Sequence, residues 1–272
     1  MNAIIRYPGS KWGLADWIIS FFPEGYEKML YLEPFLGSGA VFFNKRPGRV
    51  ETINDLDSDI VNLFRVLREQ PDRLHAQLEL TPYSREEYDL AFEPCEDPVE
   101  QARRFMVRTT QAIGAKSKCG WRNLMTPKIG GTACKWASVT DSLDAAAARL
   151  RGDTTHLVQM EHMDALQLIA RYNSSDVLMY IDPPYVRGTR RSGRLYRYEM
   201  DNAMHQELLD ILTQSRAKIV LSGYASELYD SQLAAWHKFT RLSQVTSAAT
   251  VEECIWLNYE PPYRQIRMDE IC

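Results

Sequence analysis

The sequence predicts an α/β fold, a mostly parallel sheet covered by helices on both faces and interrupted by one inserted, mostly helical unit. Three observations carry this. Short apolar runs of strand length alternate with segments of helical periodicity. The first run leads straight into a glycine-rich turn and a helix, the order of a nucleotide-binding βα unit. The stretch from about Arg73 to Arg149 breaks the alternation and is too long for a crossover.

Each element follows from local chemistry. Leu30 to Glu33 reads as the first strand and Ala40 to Lys45 as a short helix after the turn. Val50 to Asn54 reads as the second strand. Asp57 to Glu69 is helical, with Ile60, Leu63, Phe64 and Leu67 on one face, an Asp or Ser at its start and Pro71 after its end. Residues 73–149 carry Pro82, Pro94 and Pro98, then a loop-like centre from Gly114 to Gly131, and Ala145 to Ala148 reads as helix. Three more strands are expected at His156–Met160, Asp176–Ile181 and Ala217–Ser222. A helix over Met204–Ser215 separates the last two, and Lys238–Leu242 with Cys254–Asn258 suit a terminal hairpin. The expected division is 1–72 with 150–272 as the main domain and 73–149 as the insert.

The chain has 272 residues, 45% hydrophobic and 25% charged, with a net charge of −4. These values exclude disordered, collagen-like and membrane-spanning classes. Runs such as Val177–Ile181 are strand length, and no signal-peptide core follows Met1 to Trp12, so no membrane partner is expected. Five cysteines without a C-x-x-C pair, and five scattered histidines, predict a reducing, cytoplasmic setting and no metal.

Two turns carry the chemistry. Glu33-Pro34-Phe35-Leu36-Gly37-Ser38-Gly39 follows a strand, and its glycines allow a tight turn with close approach of a ligand. Asp55, at the end of the second strand, is placed to accept hydrogen bonds from ribose hydroxyls. The third glycine of the dinucleotide fingerprint is replaced by Phe42, which favours a nucleoside cofactor without pyrophosphate. Pro8-Gly9-Ser10-Lys11, which alone reads as a surface turn, and Asp164, which alone reads as a helix cap, are further candidates for the same site, the latter for an adenine amino group. The second turn, Asp182-Pro183-Pro184-Tyr185, ends a buried strand. Its prolines stiffen it and remove donors, leaving an array of acceptors beside an aromatic ring. That array suits a planar group bearing an NH₂.

With these motifs in this order, the chain resembles the Dam-type, alpha-group family of DNA N6-adenine methyltransferases. Pro8-Gly9-Ser10-Lys11 is similar to its N-terminal cofactor motif, Glu33 to Gly39 to its S-adenosylmethionine motif, Asn54-Asp55 to its ribose motif, and Asp182 to Tyr185 to its catalytic motif. Ser10 departs from the usual Gly, and Ala165 follows Asp164 where Dam itself has Phe. The resemblance implies a Rossmann-like S-adenosylmethionine-dependent methyltransferase sheet of seven strands with the last antiparallel, and an inserted target-recognition domain. It implies a cofactor site of Tyr7, Pro8, Gly9, Lys11, Glu33, Pro34, Phe35, Gly37, Ser38, Gly39, Asp55, Asp164 and Asp182, and a catalytic set of Asp182, Pro183, Pro184 and Tyr185. The implied substrate is double-stranded DNA with the target adenine flipped out. A monomer or weak dimer, bacterial or phage-encoded, is expected, with a cognate restriction enzyme as a possible partner. The rival readings are a methyltransferase acting on RNA or a protein amide, and a catalytically degenerate DNA-binding protein.

Charge placement bears on the substrate. Residues 101–136 hold eight basic side chains (Arg103, Arg104, Arg108, Lys116, Lys118, Arg122, Lys128, Lys135) and no acid. Residues 185–198 hold Arg187, Arg190, Arg191, Arg194 and Arg197, again with no acid. The rest of the chain has 19 basic against 36 acidic residues, a balance of −17. An acidic scaffold with basic loops fits a polyanionic partner. Lys116, Lys118, Arg122, Asn123, Lys128, Arg187, Arg190, Arg191 and Arg194 are the expected DNA contacts, Arg122 and Asn123 being suited to base edges.

Overall fold

Seven strands form one sheet in the order β3-β2-β1-β4-β5-β7-β6. They are β1 (Leu30–Glu33), β2 (Val50–Asn54), β3 (Leu157–Glu161), β4 (Val177–Ile181), β5 (Lys218–Gly223), β6 (His237–Thr246) and β7 (Ala249–Leu257). The computed structural model describes residues 3–113, 120–123, 136–186, 189, 197–246 and 249–262. Strands β1 to β5 are parallel, and the β6–β7 hairpin adds antiparallel through β7 on β5. The expected sheet is present, with strand ends within about a residue of the sequence reading except in the longer hairpin.

The pattern of the strands explains the two layers. Every residue of β4 is buried, as a parallel strand covered on both faces requires. Leu178 and Tyr180 enter one apolar cluster, while Val177, Met179 and Ile181 enter the other. The first layer holds α1 (Ala15–Ile19), α2 (Ala40–Asn44) and α3 (Ser58–Glu69), and with them α4 (Pro71–Glu79), α5 (Arg85–Leu90), α6 (Pro98–Thr110) and α7 (Leu143–Arg151). The second holds α8 (Ala165–Arg171), α9 (Asn202–Thr213) and α10 (Glu227–Gln232).

Helix α3 shows how sequence sets an element. Asp57 accepts from the Asp59 amide at 3.1 Å to cap it, and Ile60, Leu63, Phe64 and Leu67 are buried. Pro71 does more than follow the helix: it opens α4 at the first helical position, where a missing N–H costs nothing. Pro98 opens α6 in the same way, after an Asp97 cap. The 72/73 position lies within α4 and the 149/150 position within α7, and Leu74, Val99, Phe105 and Leu150 share the apolar cluster of the first layer.

Under the sheet, Glu51 is fully buried among Lys45, Arg149 and His156. Arg149 and His156 each reach Glu51 Oε2 at 2.5 Å, and Lys45 pairs with Oε1. Burial would raise the Glu51 carboxyl, but Lys45 and Arg149 hold it down at about 2. The cluster ties β2, the end of α2, α7 and the approach to β3.

Candidate active site

The chain order runs outward from β1 to β3 and then restarts at β4, so the topological switch lies between β1 and β4. A ligand crevice is expected beyond the carboxyl ends of those strands. A cavity of about 330 Å³ opens there. It is lined by Tyr7, Pro8, Gly9, Lys11, Glu33, Pro34, Phe35, Gly37, Ser38, Asp55, Asp164 and Asp182, together with Pro184. Of the cofactor residues inferred from sequence, only Gly39 is outside this lining. Its φ of +66° caps α2, and an added Cβ would lie 2.7 Å from the Phe43 ring, so Gly39 shapes the turn.

Hydrogen bonds assemble the lining. Asn54, at the end of β2, donates to the Pro34 carbonyl at 2.9 Å and to the Met163 carbonyl at 3.1 Å, and accepts from the Met163 amide at 2.9 Å. One side chain thus pins the loops after β1 and β3. Gly37 N–H donates to Asp55 Oδ2 and Asp57 N–H to Asp55 Oδ1, both at 2.8 Å. The Leu56 amide is a third backbone donor to the same carboxylate. Burial pushes the Asp55 carboxyl up to about 6, against the pull of these amides. Asp164 caps α8 by accepting from Gln167 N–H at 3.0 Å and lines the cavity as well.

The second turn meets the first across the cavity. Lys11 is buried, donates to the Gly9 carbonyl at 2.7 Å and sits 3.2 Å from Asp182 Oδ1. Ser222, in β5, donates to the same oxygen at 2.9 Å. The Lys11 ammonium also lies 4.6 Å from the centre of the Tyr185 ring. Tyr185 is buried, with the Tyr224 ring edge-on at 4.5 Å. Its phenol donates to Glu253 Oε2 at 2.8 Å. Glu33 is fully buried and accepts from the Tyr31 phenol at 2.6 Å. Burial, reinforced by the charges of Asp182 and Glu51, pushes its carboxyl up to about 8. Neither Pro183 nor Tyr185 lines the cavity.

The basic segments divide. Arg103, Arg104 and Arg108 belong to the first basic segment but stand outside the expected DNA contacts, and each is paired within the protein. Arg103 pairs with Glu87 and Glu100 at 2.7 Å, Arg104 with Glu100 at 2.6 Å, and Arg108 with Asp59 at 2.8 Å. The acids that neutralise them lie just outside the counted window or on neighbouring helices. Arg197 likewise pairs with Asp57 at 3.2 Å and Asp59 at 3.5 Å, which brings residues 197–200 to the cavity wall. Arg122 and Asn123 lie on a short loop bridged to α6's end (Ala112 with Trp121), and the Arg122 carbonyl accepts from the Tyr83 phenol at 2.6 Å. Burial and the neighbouring Arg122 charge lower the Arg6 guanidinium, so Arg6 adds a cation near this loop that sequence reading had passed over. Lys116, Lys118, Lys128, Lys135, Arg187, Arg190, Arg191 and Arg194 lie outside the described residues.

A largely parallel sheet, with an acid-bearing glycine turn and Asp182 of the proline turn on one cavity at the switch point, is an arrangement suited to a nucleoside-type ligand. The model of the D12 class N6 adenine-specific DNA methyltransferase family matches residues 7–245, and the chain belongs to that family. Among curated relatives, the Type II methyltransferase M1.LlaDCHI of Lactococcus lactis subsp. cremoris is 32% identical over 74 residues, 27% of this chain and 25% of that protein. The DNA adenine methylase of Salmonella typhi is 31% identical over 112 residues, 39% of each chain. The chain therefore aligns with well under half of the relatives' length. A solved rRNA methyltransferase, aviRa from Streptomyces viridochromogenes, covers 92% of this chain and 85% of its own, at 14% identity and a TM-score of 0.40.

Proposed function

We propose that this protein moves a methyl group from S-adenosylmethionine to N6 of an adenine flipped out of double-stranded DNA at a specific sequence, in the cytoplasm of a bacterial cell. The observation that carries the reading is the placement of Asp182 on the cavity built by the glycine turn. The cavity fits the family's cofactor. Four acids, Glu33, Asp55, Asp164 and Asp182, face its lumen from four strand ends, suited to hydroxyls, amino groups and positive charge. Phe35, Leu166 and Met200 supply apolar wall for a purine. Bound there, the cofactor supplies an electrophilic methyl group on a sulfonium.

The chain's own residues would do the rest. Extruding the base costs a few kcal/mol. Among the described residues, Ser222 and Lys11 both engage Asp182 Oδ1, which leaves Oδ2 to accept an N6 proton, with the Pro183 carbonyl as the second acceptor. Those bonds favour a pyramidal nitrogen whose lone pair is localised, so they strengthen as charge develops. Tyr185 would stack the base, worth about 1–3 kcal/mol. Residues 73–149 would serve as the target-recognition domain, and Arg122, Asn123 and the basic loops would hold DNA.

The test is transfer of labelled methyl to duplex DNA, RNA and protein, with Asp182→Ala beside the unmodified chain. Labelling of DNA alone, lowered at least about a hundredfold by the substitution, is expected. Labelling of RNA or protein instead, or an undiminished variant, sinks the reading.

A further inference from the structure

The methyl-transfer motifs leave one buried acid of the site unused. Glu253 lies on β7, where strand alternation turns Glu252 to solvent and Glu253 inward. β7 pairs with the end of β5, Gly223 opposite Cys254, so Glu253 enters beside the catalytic turn from a strand some 70 residues further along the chain. We propose that Glu253 is a positioning residue for methyl transfer: it anchors the Tyr185 phenol, and through that ring it sets Lys11 and the Asp182 carboxylate. This rests on the reading of the site given above.

The geometry is a chain of contacts. Glu253 Oε2 accepts from the phenol at 2.8 Å, both partners being buried. The ring so held faces the Lys11 ammonium at 4.6 Å, and Lys11 lies 3.2 Å from Asp182 Oδ1. Tyr224 fixes the ring edge-on at 4.5 Å. A carboxyl withdrawn from water is costly, and a well-packed apolar residue would serve a purely structural purpose at least as well. Burial raises the Glu253 carboxyl, while Lys11 and the Tyr185 phenol favour its charged form. Without the anchor the ring can turn, Lys11 loses its seat, and the acceptor meant for N6 drifts. A drift of about 1 Å there costs about a hundredfold in rate.

The test is a mutant cycle on the full chain: Tyr185→Phe, Glu253→Ala, Glu253→Gln, and Tyr185→Phe with Glu253→Ala together. Each is assayed on whichever of duplex DNA, RNA or protein the unmodified chain labels. Tyr185→Phe and Glu253→Ala should each lower kcat about ten- to a hundredfold, with KM for the cofactor moving less than about threefold. The double variant should be no slower than the worse single. Glu253→Gln should recover most of the rate, because its amide oxygen still accepts from the phenol. Multiplying effects, a glutamine no better than alanine, or undiminished Glu253→Ala overturns the inference. If Glu253→Ala does not fold, Glu253→Leu, which keeps the bulk but accepts nothing from the phenol, takes its place in the same cycle with the same expected and overturning outcomes. Labelling of RNA or protein by the unmodified chain would sink the substrate reading and leave this cycle decisive in its own right.

Discussion

Glu33 shows function opposing stability at a single residue. In an unfolded chain its carboxyl ionises near the usual Glu value, whereas in the folded protein it holds its proton up to about 8. A group whose folded value is raised contributes fully below its unfolded value, and that contribution is lost as pH climbs from about 4.5 to 8. Glu33→Gln keeps the acceptor for the Tyr31 phenol and removes the titration. It should stabilise the protein by about 2–4 kcal/mol at pH 8 and by about 1 kcal/mol at pH 5. Cofactor binding should weaken at the same time, most at pH 8, because the group that a cationic ligand would draw into its carboxylate form is gone. Thermal unfolding at the two pH values, with and without S-adenosylmethionine, checks both halves. Asp55 carries a milder version of the same opposition, raised to about 6 by burial against the pull of three backbone donors.

At the scale of elements, the loops at the strand ends are held less by their own sequences than by one another. Asn54 is the joint: removing its amide strands the Pro34 and Met163 carbonyls and the Met163 amide. Asn54→Ala should cost about 2–3 kcal/mol of stability and raise the cofactor dissociation constant about tenfold, read by chemical denaturation and by calorimetric titration. The strands themselves were legible in sequence, because a strand buried on both faces is a nearly unbroken apolar run, as Val177–Ile181 is. Helices α1, α5 and α10 were not, since five or six residues hold too little of a 3.6-residue period to register. Pro71 was read as a stop because a proline after a helix usually is one, and only packing reveals that it starts the next. Much of the cavity lining could be read because its residues cluster in short motifs around glycine and proline turns. Ser222 and Glu253 could not, since each reaches the site from a distant segment and carries no local signature.

At the scale of the whole molecule, the −17 balance outside the basic segments overstated the charge separation. Arg103, Arg104, Arg108 and Arg197 neutralise Glu87, Glu100, Asp57 and Asp59 within the protein. Counterion release on binding DNA counts only cations that meet phosphates, and each such contact steepens the dependence of log K on log salt by about 0.9. The two sets of arginines should therefore part company. Arg190→Ala with Arg191→Ala should flatten that slope by about 1.8 and weaken DNA binding about uniformly across sequences. Arg103→Ala with Arg104→Ala should leave the slope unchanged, because those guanidinium groups are already paired. It should instead lower stability by about 2–4 kcal/mol, since Glu87 and Glu100 are left half-buried without their partners. Fluorescence anisotropy of a labelled duplex from about 50 to 200 mM salt separates the outcomes. Equal slopes for all three proteins would mean that the arginines following Asp182–Tyr185 do not touch the phosphates. A slope flattened by the α6 pair would mean that those ion pairs open on DNA, and the acidic helices would then be a shield that the duplex displaces.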